Sequence, residues 1–358
     1  MLDIKVDLKP HFQRRTTPYH PTEFGRLRSD HMFLMDYDEG NWHHPRIVPY
    51  GPLSLYPGAK ILNYGQGIFE GQKAFRHDDG ELYLFRADEH AQRLNQSAAK
   101  MCLPPLLEND QLQALETLLD IDRHCTPTQE DSCLYIRPLL FGNEDALGVN
   151  PSKSYLYCLF FSPSGSYYDH SKALRLFLTK KFHRAAPGGS GQAKAAGNYG
   201  GSLYALQRAH ELGAFQVLYL DVNNQRIEET GASNHFHVNQ RDGVILPRFT
   251  DTILESITAR SIMSLEGRLG IAIQPESIGT DAFIADIKRK YIREAGVLGT
   301  AMVVGGVGEY VFDSGKVLSV GDGRVGPITQ KIYTLLRNIQ TGKEEAPEGW
   351  LKKVPRLL

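Results

Sequence analysis

Residues 190–201 read SGQAKAAGNYGG, and this stretch decides how the rest of the chain is interpreted. The neighbours of Lys194 in it are mostly glycine and alanine, which let the backbone and a bound molecule approach each other closely. Most lysines are solvated surface groups, so composition alone favours an ordinary loop lysine. Tyr199 follows and supplies a hydroxyl close to the lysine in sequence. The pair favours a lysine with a chemical role.

Composition places the chain among globular enzymes. Its 358 residues, 41% of them hydrophobic, predict about two domains. A net charge of −1 gives no reason to expect a nucleic-acid or membrane partner, and no apolar run is long enough to span a bilayer. The four cysteines form no C-x-x-C pair, so we expect neither disulfides nor a metal site. A cytoplasmic protein with small-molecule ligands is expected.

The first part of the chain predicts a mixed α+β domain. Residues 1–50 are rich in Pro, His and charge and are expected to form an irregular extension. Residues 73–86, KAFRHDDGELYLFR, predict two strands around an Asp79-Gly80 turn. Residues 132–142 and 154–162 are expected to form core strands. Before these strands, apolar spacing predicts two helices with one buried face each, one carrying Ala87, Ala91, Leu94, Ala98 and Met101 and the next carrying Leu112, Leu115 and Leu118.

A loop-like segment at residues 162–172, SPSGSYYDHSK, predicts the domain boundary. We therefore divide the chain into residues 1–170, an α+β domain, and residues 171–358, in which strands and helices alternate. Within the second domain we expect a strand at 173–179, a helix at 202–212 closed by Gly213, and a strand at 215–221 followed by an Asn223-Asn224 turn.

Two motifs make a family resemblance specific. Residues 194–205, KAAGNYGGSLYA, look like the lysine motif of branched-chain aminotransferases, and residues 226–236, RIEETGASNHF, look like their cofactor-acid motif. The likeness runs from roughly Phe24 to Gly326. It implies a two-domain, fold-type IV pyridoxal-phosphate enzyme, α+β and α/β, with a smaller N-terminal domain, a larger C-terminal domain and the cofactor between them.

The resemblance also implies an activity. Lys194 would hold pyridoxal phosphate as a Schiff base and act as the catalytic acid and base. Amino groups would pass between leucine, isoleucine or valine and 2-oxoglutarate in a ping-pong cycle through the pyridoxamine form. Family members are homodimers, so a homodimer is expected here.

The residues implied to bind the cofactor come from several segments. Glu229 would pair with the pyridine nitrogen, although its sequence position taken alone favours an exposed strand-end carboxylate. A helix expected to begin at Ser256 would offer free N–H groups to the phosphate, where the family usually has Pro-Gly and this chain has Glu255-Ser256. The full set is Arg93, Lys194, Tyr199, Glu229, Leu254, Ile257, Thr258 and Thr300.

The substrate side is implied mainly by residues 62–76, LNYGQGIFEGQKAFR, which resemble the family's N-terminal motif. Arg137 would read the second carboxylate of glutamate, so that one pocket accepts both acidic and apolar side chains. Tyr135 alternates with it and should lie on the same strand face. The full set is Phe24, Tyr64, Phe69, Tyr135, Arg137, Leu147, Val149, Tyr167, Thr300 and Ala301, the last through its backbone.

Other interpretations are weaker. An aminodeoxychorismate lyase or a D-amino acid transaminase would share Lys194 and Glu229, but residues 62–76 disfavour both. Residues 321–326, GDGRVG, satisfy a dinucleotide-binding pattern, yet we expect a loop and a helix start at Pro327 instead. His235 and His237 are expected to be ordinary strand residues rather than metal ligands. Met302 and Gly305 replace the cysteines of a redox pair found in some animal members, which excludes that switch.

Overall fold

The computed structural model describes residues 1–10 and 24–357, which form two compact units. The first unit comprises Met1–Tyr167, Ala193–Gly197 and Ile339–Leu358, and the second comprises Tyr168–Gln192 and Asn198–Asn338. The division between Tyr167 and Tyr168 lies close to the predicted boundary. In this division the segment around Lys194 and the last residues of the chain are grouped with the first unit.

The first unit is built on one mixed sheet. Its strand order is β1-β3-β2-β8-β7-β5-β6-β18, with β4 paired to β7 beside this path. Only the β1–β3 pair is parallel among the described strands of this sheet. Its elements are β1 (Lys5–Val6), β2 (His31–Asp38), β3 (Asn41–Pro49), α1 (Lys60–Tyr64), β4 (Gly67–Phe69), β5 (Gln72–Arg76), β6 (Leu82–Phe85), α2 (Ala87–Lys100), α3 (Glu108–Ile121), β7 (Cys133–Gly142), β8 (Tyr155–Ser164) and β18 (Leu351–Lys353).

The expectation of an irregular N-terminal extension is wrong for residues 31–49. The apolar run of β2 is buried and pairs with β8 along six residues, while the turn at Glu39-Gly40 returns the chain as β3. Burial of Met32 to Met35 against β8 explains why these residues form a strand despite the Pro, His and charged residues around them. Residues 11–23 lie outside the described part of the chain.

The hairpin and helices predicted for this unit are confirmed. Strands β5 and β6 pair antiparallel, and Gly80 in their turn has a φ of 79°. The α2 helix buries Ala87, Ala91, Leu94 and Ala98, which join side chains of α3 and the sheet in one apolar cluster. The returning C-terminal segment adds β18 to the free edge of β6, and Val354 donates to the Leu82 carbonyl at 2.8 Å.

The second unit contains a closed ring of strands. Its sheet order is β11-β10-β9-β16-β15-β12-β13-β14, and an additional β11–β12 pairing closes the path between its first and sixth strands. Its elements are β9 (Leu174–Leu178), α4 (Ala196–Gly200), α5 (Leu203–Glu211), β10 (Gln216–Leu220), β11 (Ile227–Thr230), β12 (Asn234–Asn239), β13 (Val244–Pro247), α6 (Ile257–Ser264), α7 (Glu266–Leu269), β14 (Ile273–Glu276), α8 (Thr280–Lys288), β15 (Ile292–Gly299), β16 (Val303–Phe312), β17 (Val317–Ser319) and α9 (Pro327–Gln340).

Predicted features of this unit are also confirmed. The α5 helix ends before Gly213, which has a φ of 68°, and Asn224 turns the chain between β10 and β11 with a φ of 58°. The pairing that closes the ring joins Glu229 to Asn234 across a short turn. Strand β11, which precedes this turn, therefore carries Glu229, the predicted cofactor acid.

The GDGRVG segment is a loop, as expected, and Pro327 begins α9. Glu294 occupies the start of that helix and accepts from the N–H groups of Ile328 and Thr329 at 3.0 and 2.8 Å. A carboxylate already stabilises these N–H groups, so the helix start does not offer them to a phosphate.

His235 and His237 lie on β12 and are buried around Phe283. His235 shares a hydrogen bond with the Tyr310 hydroxyl at 2.8 Å. Burial lowers the pKa of His237 to about 4 and that of His235 well below its usual value. Both are neutral at neutral pH.

None of the helices in the described ranges is long and apolar enough to cross a membrane.

Candidate active site

Lys194 is fixed through its backbone. Its N–H donates to Ser97 Oγ at 3.0 Å, and its carbonyl accepts from the Phe69 N–H at 3.1 Å. The following residue, Ala195, forms an isolated bridge with Ile68 of β4. A lysine in a glycine-rich stretch is thus tied to a strand and a helix of the first unit, which removes the freedom of a surface-loop lysine.

The surroundings of the Lys194 amine are aromatic. Its Nζ lies 5.1 Å from the centre of the Phe69 ring. The Arg137 guanidinium lies 4.7 Å from the same ring and 5.5 Å from the Tyr135 ring. Tyr135 and Arg137 therefore do lie on one face of β7, as their alternation predicts. Phe69 contacts two cations at once, and both contacts are cation–π in character.

Arg137 has no acidic partner in the described chain. No carboxylate of residues 1–10 or 24–357 forms an ion pair with it, and its buried Nε has no hydrogen-bond acceptor there. A half-buried guanidinium held only by aromatic faces is able to take a carboxylate from a small molecule.

Phe24 and Tyr167 extend this aromatic wall. Phe24 makes edge contacts with Tyr135 and Tyr167 at ring separations of 4.8 and 4.9 Å. Gly71, in the turn between β4 and β5, lies against the Tyr135 hydroxyl so closely that a Cβ there would overlap it. Five of the predicted substrate residues, together with Lys194, thus form one continuous chain of contacts: Phe24, Phe69, Tyr135, Arg137 and Tyr167.

Tyr64, Leu147 and Val149 form a separate group. The Tyr64 hydroxyl accepts from the Gly148 N–H at 2.8 Å, so the structure brings this loop to the end of α1. Their side chains are 41%, 78% and 90% exposed. Their predicted role at the substrate pocket stays a prediction.

Arg93 is buried on α2 and paired with a second buried residue, Glu70. Its Nε and Nη2 lie 2.6 and 2.9 Å from the two carboxylate oxygens. His90, one turn earlier on the same helix, shares a hydrogen bond with Glu70 at 2.9 Å. Burial by itself would raise the pKa of Glu70, but Arg93 and His90 outweigh it and hold that pKa below its usual range. Burial also lowers the pKa of His90.

Glu229 is a buried carboxylate of the second unit. Arg184 forms a close ion pair with its Oε1, to which the Leu254 N–H also donates at 2.9 Å. Asn234, its partner in the strand pairing, donates to Oε2 at 3.2 Å. Glu229 is therefore not the exposed strand-end carboxylate that its sequence position alone would allow. Its neighbour Glu228 faces away, toward Thr252, and burial raises its pKa.

The predicted helix start at Ser256 is confirmed. Ser256 is the N-cap of α6, and its hydroxyl accepts from the Ala259 N–H at 3.2 Å. The departure from the family's Pro-Gly pair therefore still makes a capped turn. Ile257 and Thr258 are buried in the first helical turn, where backbone N–H groups lack partners within the helix. Such a turn attracts an anion.

Thr300 and Ala301 lie in the turn between β15 and β16, and both are half-buried. The turn ends at Val303, whose φ is 66°. A β-branched residue is strained in this left-handed region, so the surrounding fold imposes the turn. Tyr199 is half-buried on α4, immediately after the Lys194 segment.

Five residues that bond to Arg93, Lys194 or Glu229, or to the partner of one of them, were not predicted from the sequence: Glu70, His90, Ser97, Arg184 and Asn234. A signal exists for His90, because it shares the helical spacing of the buried Ala87, Ala91 and Leu94. Asn234 follows Glu229 across a hairpin-like turn, which could have indicated their pairing. Nothing in the local pattern singles out Glu70 or Arg184.

Comparisons with known proteins agree on the class. Residues 67–309 match the family model of amino-transferase class IV. The chain is 42% identical to branched-chain-amino-acid transaminase 1 of Bacillus subtilis (strain 168) over 335 residues, 92% of this chain and 94% of the relative. The family match spans Lys194, Glu229 and the β4 strand. The chain is a class IV aminotransferase.

Solved structures narrow the assignment. The fold matches the Escherichia coli branched-chain amino acid aminotransferase with a TM-score of 0.77 and 27% identity, covering 91% of this chain and 100% of that one. An enzyme of that name from Thermobaculum terrenum, solved with pyridoxal phosphate bound, has the same fold, with a TM-score of 0.73 and 20% identity over 92% of this chain and 100% of that one. The chain belongs to the branched-chain-amino-acid aminotransferase family.

Pyridoxal phosphate is the cofactor of this class, and the residues present fit its chemical requirements. Lys194 offers an amine for the aldehyde. Glu229 offers a carboxylate, with Arg184 behind it, for the pyridine nitrogen. The first turn of α6 offers N–H groups for the phosphate. The predicted position of the cofactor between the domains stays a prediction, as do the cofactor-binding roles of Arg93, Lys194, Tyr199, Glu229, Leu254, Ile257, Thr258 and Thr300.

Replacing Glu70 with Ala or Gln should destabilise the protein strongly, since Arg93 would keep a buried charge without its partner. Breaking such a pair costs about 3–5 kcal/mol of unfolding free energy, measured by urea denaturation. The Glu309→Ala variant is the control, because its ion pair with Arg175 is about one-third exposed and contributes at most about 1 kcal/mol. Equal midpoints for the Glu70 and Glu309 variants would contradict the assigned importance of the buried pair.

The Glu70→Gln variant should also change how the unfolding free energy depends on pH. The pKa of Glu70 is lowered by folding, so its contribution to stability is complete above its ordinary value of 4.5 and is lost as the pH falls below that value. The acid-side slope of unfolding free energy should therefore be shallower in Glu70→Gln than in the wild type.

Proposed function

We propose that this protein transfers amino groups between branched-chain L-amino acids and 2-oxoglutarate. The observation that carries the proposal is the contact chain in the first unit, in which Lys194 and Arg137 both lie over the Phe69 ring and Arg137 also lies over the Tyr135 ring. It combines a reactive amine, an apolar aromatic wall and a cation without an acidic partner. The relatives named above favour this activity over that of a lyase or a D-amino acid transaminase.

The residues divide the chemistry among them. Bound pyridoxal phosphate supplies the carbonyl carbon that receives the amino group and a ring that withdraws electrons from the substrate Cα. The Lys194 amine would take the proton from that Cα as a general base and then deliver it, as a general acid, to the carbon that received the amino group. Its backbone bonds to Phe69 and Ser97 hold the amine in one place between the two steps.

Arg137 explains how one pocket serves two kinds of substrate. Leucine, isoleucine and valine place an apolar side chain against Phe69 and Tyr135. The distal carboxylate of glutamate or 2-oxoglutarate binds the Arg137 guanidinium in a bidentate pair. Because the guanidinium is held by aromatic rings rather than by a protein carboxylate, an apolar substrate leaves no buried acid unpaired.

An absorbance titration tests the activity class. The purified protein should carry the absorbance of bound pyridoxal phosphate, and L-leucine should convert it to the pyridoxamine form whereas D-alanine should not. Lys194→Ala is the control and should lose this conversion. A colourless protein that pyridoxal phosphate does not reconstitute would refute the proposal, and conversion by D-alanine in place of L-leucine would favour the D-amino acid transaminase.

Substitution of Arg137 tests the dual pocket. Arg137→Ala should lower kcat/KM for glutamate by roughly 10- to 100-fold, the effect of losing a hydrogen-bonded charge, and should affect leucine much less. Arg175→Ala, a surface arginine of the second unit, is the control and should leave both values unchanged. Equal losses for glutamate and leucine would remove the role assigned to Arg137.

We further propose that the protein is a homodimer, with the 147–149 loop at the interface. Leu147 and Val149 are large apolar residues with high exposure, and such groups commonly mark protein contacts. The loop is not a loose one, because the buried Lys60 donates to the Gly148 carbonyl and to Asn150 Oδ1, both at 2.7 Å. A rigid, apolar, exposed loop is suited to binding a second copy of the chain.

Light scattering tests the oligomer. The wild type should have twice the chain mass of 40.1 kDa, and the Leu147→Asp, Val149→Asp double variant should shift toward one chain mass. Val317→Asp, at another exposed apolar residue, should remain dimeric. A monomeric wild type would overturn the proposal.

We also propose that the protein acts in the cytoplasm. No disulfide joins cysteines within the described residues, and the three buried thiols, Cys125, Cys133 and Cys158, are typical of proteins in reducing compartments.

A further inference from the structure

A second cluster of reactive side chains lies in the first unit, formed by Asp30, His124 and Cys125. Asp30 precedes β2, while His124 and Cys125 belong to a 3₁₀ turn, Arg123–Cys125, that follows α3. His124 Nε2 lies 3.0 Å from Asp30 Oδ2 and 3.4 Å from Cys125 Sγ. The three atoms all lie within 4.8 Å of one another.

The backbone that carries this cluster is locked in place by the neighbouring residues. Asp122 accepts from the His31 N–H at 2.9 Å and pairs with His31 Nδ1 at 2.6 Å, and both side chains are fully buried. The Lys9 N–H donates to His31 Nε2 at 2.9 Å, so the ring proton of neutral His31 lies on Nδ1 and points at Asp122. The two segments that supply the cluster are therefore joined before any ligand binds.

The two distances from His124 Nε2 are close to those between the ligand atoms of a tetrahedral metal site. Zinc binds sulfur at about 2.3 Å and nitrogen or oxygen at about 2.0–2.2 Å, so tetrahedral ligand atoms lie about 3.5 Å apart for sulfur and nitrogen and about 3.3 Å apart for nitrogen and oxygen. The two measured separations are 3.4 and 3.0 Å. A shift of a few tenths of an ångström would therefore accommodate the ion.

We propose that Asp30, His124 and Cys125 bind a zinc ion, with water as the fourth ligand. Asp30 and Cys125 are buried, whereas about one-third of the His124 side chain is exposed and gives the ion and its water access. The charges of one thiolate and one carboxylate balance those of Zn²⁺. The expectation of no thiolate metal site came from the absence of a short cysteine spacing. Here one thiolate is joined by its neighbour His124 and by Asp30, which lies 94 positions before His124 in the chain.

A second candidate cluster in the described chain, Asp36 with His43 and His44, is less suited. It is more exposed and has no thiolate. Both oxygens of Asp36 already contact Arg46, at 2.5 and 3.5 Å. It therefore serves as an internal control rather than as the proposed site.

Lys9 provides a sensitive probe of the proposed site. Its Nζ lies 3.1 Å from Asp30 Oδ1, the oxygen that does not face His124. The ammonium repels a metal ion bound on the other side of the carboxylate. Lys9→Gln should therefore bind zinc more tightly than the wild type, which a purely structural role for Lys9 would not produce.

Equilibrium dialysis of the cofactor-saturated protein against zinc, with elemental analysis, tests the proposal. The wild type should bind one zinc per chain, Cys125→Ser should lose it, and Asp30→Asn should bind it more weakly. Cys133→Ser and the His43→Ala, His44→Ala double variant should retain it. Cobalt should give visible bands of tetrahedral thiolate coordination, at wavelengths longer than the cofactor absorbs, in the wild type and not in Cys125→Ser.

The outcomes separate this site from the catalytic one. Cys125→Ser should keep its transaminase activity, which shows that it is folded. Zinc binding that persists in Cys125→Ser, that disappears in the His43 and His44 double variant, or that is absent from the wild type would overturn the proposal.

Discussion

The burial of Glu229 is the constraint on which the second unit depends. A carboxylate removed from water must be surrounded by donors, and here they come from three segments far apart in sequence, at Arg184, Asn234 and Leu254. Satisfying one side chain therefore fixes the loop after β9, the turn that closes the strand ring, and the approach to α6. The Leu254 contact also ties the segment just before the Ser256 N-cap of α6 to this carboxylate.

In the first unit, too, a buried carboxylate is surrounded by hydrogen-bond donors. Glu70 is buried with Arg93 and His90. It directly follows β4, the strand whose last residue, Phe69, donates to the Lys194 carbonyl. Arg137 is the exception, since aromatic rings surround it in place of an acid. Charges that maintain the fold are neutralised by protein partners, and the charge assigned to substrate recognition is not.

Sequence patterns predicted individual helices and strands better than they predicted which distant residues and strands contact each other. Alternation placed Tyr135 and Arg137 on one face, helical spacing located α2, and the Ser256 cap was evident from its hydroxyl and the apolar run that follows. Local patterns failed for β2, whose strand character comes from pairing with β8, and for residues 339–358, which return to the first sheet. Arg184 and Glu70 could not be found because their roles depend on which distant side chain they meet. The grouping of Asp30 with Cys125 is equally a product of tertiary folding.

The pairing of β18 with β6 has a consequence for folding during translation. Residues 351–353 complete an edge whose other strand, residues 82–85, is made early in synthesis. While the ribosome translates the whole second unit, the nascent first unit carries an unpaired strand edge, a site at which other chains are able to add. The second unit has no such dependence on the last residues. During synthesis from the N-terminus, the second unit is therefore able to complete its sheet first. The first unit completes its sheet only after residues 351–353 have left the ribosome and paired with β6.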